Sequence, residues 1–154
     1  MSQLYPLKFT PILKEKIWGG KKIAQMQISN EATEKTGEAW ILSGIENEET
    51  PVCNGFLAEN TINELIEIYM AELVGEKNFE TFGNEFPLLY KVIDANDDLS
   101  IQVHPNDELA LERHNGNGKS EMWYIIDAEK DAEIILGFNQ DMNPTKFLKY
   151  SENK

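Results

Sequence analysis

Gln102, His104 and Glu121 are the side chains whose types and spacing point to chemistry. Leu99-Ser100-Ile101-Gln102-Val103-His104 alternates strictly between apolar and polar residues, the period of a half-buried strand. On such a strand Ser100, Gln102 and His104 share one face, with residues two apart separated by about 7 Å and their side chains parallel. Gln102 and His104 can then converge on one ion, and Pro105 ends the pairing. A second segment repeats the pattern, with Lys119, Glu121, Trp123 and Ile125 on one face and Ser120, Met122, Tyr124 and Ile126 on the other. If both strands lie in one barrel with polar faces inward, Glu121 meets Gln102 and His104, and Lys119 stands beside them. An amide oxygen, an imidazole and a carboxylate form a mixed N/O set that suits zinc or another divalent transition metal. A position left open on the ion admits water or substrate.

Each residue also has a plainer reading. A lone strand histidine is commonly a hydrogen-bonded structural residue, glutamine is a rare protein ligand, and Glu121 can be a solvated or salt-bridged acid. Lys119 follows Gly118 and can be a simple loop cation. His114 reads as a late-helix residue that favours the helix dipole, not as a ligand. Trp18, Trp40 and Trp123 are of a type more often found in a core than as a sugar platform, although an aromatic near a carbohydrate site is plausible.

The elements that must position these side chains are legible in part. Short extended pieces are expected around Leu7-Phe9 and Ala39-Leu42, punctuated by turns at Gly19-Gly20 and Gly37. Thr61-Ile62-Asn63-Glu64 reads as a capping box, followed by an apolar stripe of Leu65, Ile68, Tyr69 and Leu73 that Gly75 closes. Phe86 to Ile93 suits a buried strand. Asn106 or Asp107 can cap a short helix through Glu108-His114, which Asn115-Gly116-Asn117-Gly118 ends. Strands are expected near Glu121-Ile126 and Ala132-Gly137. Asn143-Pro144 reads as the N-cap and first residue of a helix from Thr145 to Tyr150. That helix has barely two turns before Lys154, which fits either a truncated polypeptide or a frayed natural terminus.

Composition sets outer bounds. The chain has 154 residues, 41% hydrophobic and 27% charged, and suits one globular domain with a core of its own. No stretch approaches the roughly 20 apolar residues that span a bilayer. Met1-Ser2-Gln3-Leu4-Tyr5-Pro6-Leu7-Lys8 carries no basic run followed by an apolar run, so no leader is expected. Cys53 is the single cysteine, which excludes an internal disulfide and fits a reducing cytoplasm. The formal net charge of -13 repels phosphate backbones and argues against nucleic acid. A phosphorylated ligand would need local positive charge set against that field.

Two runs, Leu99-Ser100-Ile101-Gln102-Val103-His104-Pro105-Asn106-Asp107 and Gly118-Lys119-Ser120-Glu121-Met122-Trp123-Tyr124-Ile125, closely resemble the signature of type I mannose-6-phosphate isomerases. Pro11 to Gly20, Gly37-Glu38-Ala39-Trp40 and Phe86-Pro87-Leu88-Leu89-Tyr90-Lys91 are similar to the short bacterial branch of that family. The likeness runs through nearly the whole chain in the family's order. It implies a mainly β fold with a few helices, a cupin-type β-barrel (jelly roll) that is incomplete here. Residues 1–154 would be a single domain, the N-terminal portion of an isomerase whose barrel is completed by sequence after residue 154.

The resemblance further implies a cytoplasmic zinc enzyme that interconverts mannose 6-phosphate and fructose 6-phosphate through an enediolate. One zinc ion per chain would take Gln102, His104 and Glu121 as ligands. Ser100 and Lys119 match catalytic and substrate-pocket positions, and Trp18 matches a position near the pocket. The family's fourth ligand, a histidine, and an active-site arginine come from strands further along and are absent from this sequence. Activity of the short chain is therefore in question, and open barrel edges would invite self-association. The expected partner is a small sugar phosphate, with neither nucleic acid nor membrane. The alternative is a noncatalytic cupin that binds a metal or sugar phosphate. A cupin iron oxygenase is disfavoured by the Gln-x-His pattern, because such enzymes prefer two histidines and a carboxylate.

Overall fold

Residues 4–152 are described by the computed structural model; Met1, Ser2 and Gln3 of the expected leaderless start, and the closing Asn153-Lys154, lie outside the described residues. The chain divides into two compact units, Met1–Ile101 and Gln102–Lys154.

The first unit is built on an antiparallel sheet. Its strands β1 (Ile12–Glu15), β2 (Thr36–Ser43) and β3 (Leu89–Ile93) lie in the order β1-β2-β3. Ala39 is the hub, paired with Leu13 on one side and Val92 on the other, and it is wholly buried. A short helix α1 (Lys22–Gln25) sits between β1 and β2. Asp94, just past β3, accepts a hydrogen bond from the Lys22 backbone N–H at 2.6 Å and so holds the start of α1. Gly20 is required there, because a Cβ at that position would lie 2.6 Å from the Asp94 carboxylate.

Polar groups inside this unit are paired, as burial demands. Glu38 of β2 accepts from Trp40 Nε1 at 2.8 Å and from Lys91 Nζ at 3.2 Å across the sheet. Burial pushes its carboxyl pKa upward, but these two donors outweigh burial and hold it below the ordinary carboxylate value. Ser43 N–H donates to Thr50 Oγ1 at 3.0 Å, and Thr50 N–H returns a bond to Ser43 O at 3.1 Å.

Three consecutive helices, α2 (Ile62–Tyr69), α3 (Ala71–Val74) and α4 (Glu76–Phe82), follow a single 3₁₀ turn at Gly55–Leu57. The Thr61–Glu64 capping box forms in full: Glu64 N–H donates to Thr61 Oγ1, and Thr61 N–H donates to Glu64 Oε2. Leu65 of α2 joins Val52 and Leu57 in a core against which Leu4, Tyr5, Leu7, Phe9, Tyr69 and Leu73 pack. The expected stripe is right at Leu65, Tyr69 and Leu73 and wrong at Ile68, which is exposed; Ile62 and Ile66 take the buried places. A positive φ at Met70 breaks the helix before the expected stop at Gly75.

The second unit contains α5 (Asp107–His114) and α6 (Pro144–Glu152), each opened by the expected asparagine. Asn106 Oδ1 accepts from Leu109 N–H at 3.0 Å, and Asn143 Oδ1 accepts from Lys146 N–H at 2.9 Å.

The mainly β expectation needs correction: the described residues are mixed, with one open three-stranded sheet and six α-helices. Leu99-His104, Glu121-Ile126 and Ala132-Gly137 form no strands, and Leu7-Phe9 supplies only one bridge, Phe9 to Val52. An alternating segment becomes a strand only where a partner takes its backbone bonds and its apolar face is covered. Here Ile101, Val103, Met122, Tyr124 and Ile126 all stand exposed.

Candidate metal centre

The loop that follows α5 brings the chemistry-bearing residues together. Asn115, in left-handed conformation, ends the helix and turns the chain back. Gly118 N–H then donates to Asp107 Oδ1 at 3.0 Å, and Lys119 N–H donates to Pro105 O at 3.1 Å. Gly118 lies so close to the start of α5 that a Cβ would fall 2.5 Å from both the Asn106 carbonyl carbon and the Asp107 nitrogen. Two short segments, 105–107 and 118–119, are thereby clamped side by side.

His104 and Glu121 flank that clamp. His104 Nε2 lies 3.1 Å from Glu121 Oε2, and Lys119 Nζ lies 2.8 Å from Glu121 Oε1. The Lys119 hydrogen bond is the main reason the Glu121 carboxyl titrates below its ordinary value; it outweighs partial burial, and His104 adds to the effect. The carboxylate is thus kept ionised, the form in which it serves as an acceptor or a ligand.

Metal–nitrogen and metal–oxygen bonds of about 2.0–2.2 Å at tetrahedral angles put neighbouring ligand atoms roughly 3.3 Å apart. The His104–Glu121 separation of 3.1 Å is close to that spacing, so this pair fits a shared divalent ion. Among the described residues no three His, Cys, Asp or Glu side chains gather at one point, so further donors are required. Gln102 lies in the same unit, exposed and with interactions of its own.

Of the residues expected at the site, His104, Lys119 and Glu121 are therefore joined. Ser100 and Trp18 belong to the first unit, where Ser100 is exposed and Trp18 is half-buried with its ring over Gly37. The Asp107–Gly118 clamp escaped the sequence reading, which took Asn115 to Gly118 as a turn alone. The acid after the cap and the last glycine of the turn were its only signal.

A family model for phosphomannose isomerase type I, catalytic domain, matches residues 6–142. The chain belongs to this family. Among its relatives in the type I phosphomannose isomerase family, mannose-6-phosphate isomerase ManA of Bacillus subtilis is 46% identical over 135 residues. That match covers 87% of this chain and 41% of the relative. The probable mannose-6-phosphate isomerase GmuF of the same organism is 42% identical, over 86% of this chain and 41% of its own length. The chain thus spans well under half the length of these relatives.

The crystal structure of the mannose 6-phosphate isomerase from Bacillus subtilis superimposes with a TM-score of 0.72 at 40% identity, over 82% of this chain and 39% of that one. The Salmonella typhimurium enzyme, crystallised with fructose 6-phosphate and zinc, gives a TM-score of 0.57 at 28% identity, over 71% of this chain and 28% of that one.

Proposed function

We propose that the chain forms the front part of a zinc-dependent mannose-6-phosphate isomerase, a single cupin-type domain whose barrel a longer polypeptide completes. The observation that carries this reading is the His104–Glu121–Lys119 cluster, which lies within the residues matched by the family model and whose His104–Glu121 pair stands at ligand spacing. His104 Nε2 and a Glu121 carboxylate oxygen would hold the ion, with the Gln102 amide oxygen as third donor and a fourth supplied from outside this chain. When bound, zinc supplies positive charge beside the two sugar oxygens on which negative charge develops during aldose–ketose isomerisation.

Lys119 adds a second cation at the same place and keeps Glu121 ionised. Ser100 contributes a hydroxyl to the substrate pocket, and Trp18 an aromatic face near it. The cytoplasm is the expected site of action, and among the described residues no helix is long and apolar enough to cross a membrane.

Alanine at Gln102, His104 and Glu121 tests the reading through zinc affinity, measured by competition with a chromogenic chelator. Each variant is expected to bind zinc about tenfold or more weakly. Unchanged binding in all three would sink the assignment.

A further inference from the structure

His104 and Glu121 stand seventeen residues apart in sequence, yet their side chains lie 3.1 Å from each other. Neither flanking segment belongs to a strand ladder that would bring them together. Closing a loop of that length costs chain entropy, which contacts at its foot must offset. One such contact, from Lys119 N–H to Pro105 O at 3.1 Å, joins backbone to backbone and survives any change of side chain. The other, from Gly118 N–H to Asp107 Oδ1 at 3.0 Å, depends on a single carboxylate.

The usual duties of an acid at the start of a helix are already met by its neighbours. Asp107 is the first residue of α5, but Asn106 Oδ1 caps the helix by accepting from Leu109 N–H at 3.0 Å. Glu108 is a second acid in the first turn, so the helix dipole has negative charge beside it without Asp107. Among the described residues no cation pairs with Asp107. Its Oδ1 instead reaches across eleven residues to the amide that precedes Lys119.

We propose that Asp107 is a positioning residue of the metal centre: its carboxylate oxygen fixes Gly118, and through it Lys119 and Glu121, beside His104. The role belongs to an acceptor oxygen at that distance and not to negative charge, because the partner is a neutral amide. Gly118 makes the matching demand from the other side, since it approaches Asp107 too closely to carry a Cβ. Ligand atoms held in place before an ion arrives spare the binding step the cost of ordering them. That the positioned pair serves an ion rests on the isomerase reading above; the positioning itself does not.

The test compares Asp107→Asn, Asp107→Ala and Glu108→Gln in the full chain, by zinc competition with a chromogenic chelator and by nuclear magnetic resonance without metal. Asp107→Asn keeps an acceptor oxygen and loses the charge, and should bind zinc within about twofold of wild type. Asp107→Ala should bind zinc about tenfold or more weakly. It should also lose the exchange protection of the Gly118 amide and the Overhauser contact between the His104 ring and the Glu121 side chain. Glu108→Gln removes a first-turn acid that makes no such bond, and should match wild type in all three readouts. Restoration by Asn of what Ala loses is a result that a general loss of folding cannot produce. An unchanged Overhauser contact in Asp107→Ala, damage from Asp107→Asn equal to that from Ala, or equal damage from Glu108→Gln each overturns the proposal. A contact that depends on Asp107, in a chain whose zinc affinity ignores Gln102, His104 and Glu121, keeps the positioning role and removes the metal reading.

Discussion

Glu121 has one carboxylate oxygen facing Lys119 and the other facing His104, and this division of labour decides what each neighbour can do. Lys119 stabilises the charge, whereas His104 shares the face on which an ion would sit. Replacing Lys119 by Gln should therefore raise the Glu121 pKa toward its ordinary value, because the largest lowering influence is removed. Carboxyl carbon resonances followed through an acid titration check this; an unmoved midpoint would show that Lys119 is a bystander. Glu38 makes the corresponding case for stability. Its folded pKa lies below the ordinary value, so its contribution is present above that value and is lost as pH falls through the folded one. Urea unfolding across that acid window should show wild type losing stability and Glu38→Gln losing less. Parallel slopes would mean that the Trp40 and Lys91 contacts carry no charge-dependent stability.

At the scale of elements, local signals succeeded where the decisive contacts were close in sequence. The Thr61–Glu64 box and the Asn106 and Asn143 caps each join residues three apart, and all three helices begin where those residues stand. Thr61→Ala should cost about 1 kcal/mol of unfolding free energy, read from the urea midpoint at constant slope. A loss near zero would show that packing alone fixes the start of α2. The kink at Met70 was hidden because nothing in Ile68-Tyr69-Met70-Ala71 forbids a continuous helix. Ile68 looked like a core residue for the same reason, yet the buried face runs through Ile62, Leu65 and Ile66. Of the candidate site, the pairing of His104 with Glu121 was legible from two alternating segments, although the reason given for it, two ladder-paired strands, is not the one found. The clamp between Asp107 and Gly118 does that work instead. Gly118→Ala would drive a Cβ into backbone atoms, so the amide of Lys119 should lose its protection from hydrogen exchange and zinc should bind more weakly. Retained protection would show that the clamp tolerates the methyl group.

For the molecule as a whole, the two units differ in what they bury. Ile23, Ala39, Val52, Leu57, Ile62, Leu65 and Ile66 are interior residues of the first unit, whereas Ala110 is the single buried hydrophobic residue described in the second. In that second unit Met122, Tyr124, Ile126, Ile135 and Leu136 lie exposed, on segments whose backbone takes part in no ladder. Contiguous apolar surface beside unpaired backbone is the condition under which chains pair with one another. Hydrogen exchange should accordingly find slow amides in β2 and α2 and near-intrinsic rates across residues 121–126 and 132–137 in dilute solution. Raising the concentration should slow exchange in those two segments as sedimentation detects larger species, because association supplies the missing backbone partners. Tyr124→Lys together with Leu136→Lys should suppress both effects, since a charged side chain on an edge opposes strand addition. A chain that stays monomeric while residues 121–126 are protected would mean that the second unit covers these segments by itself. The strand pattern read from the sequence would then have its partner within residues 102–154, and no longer polypeptide would be needed to explain it.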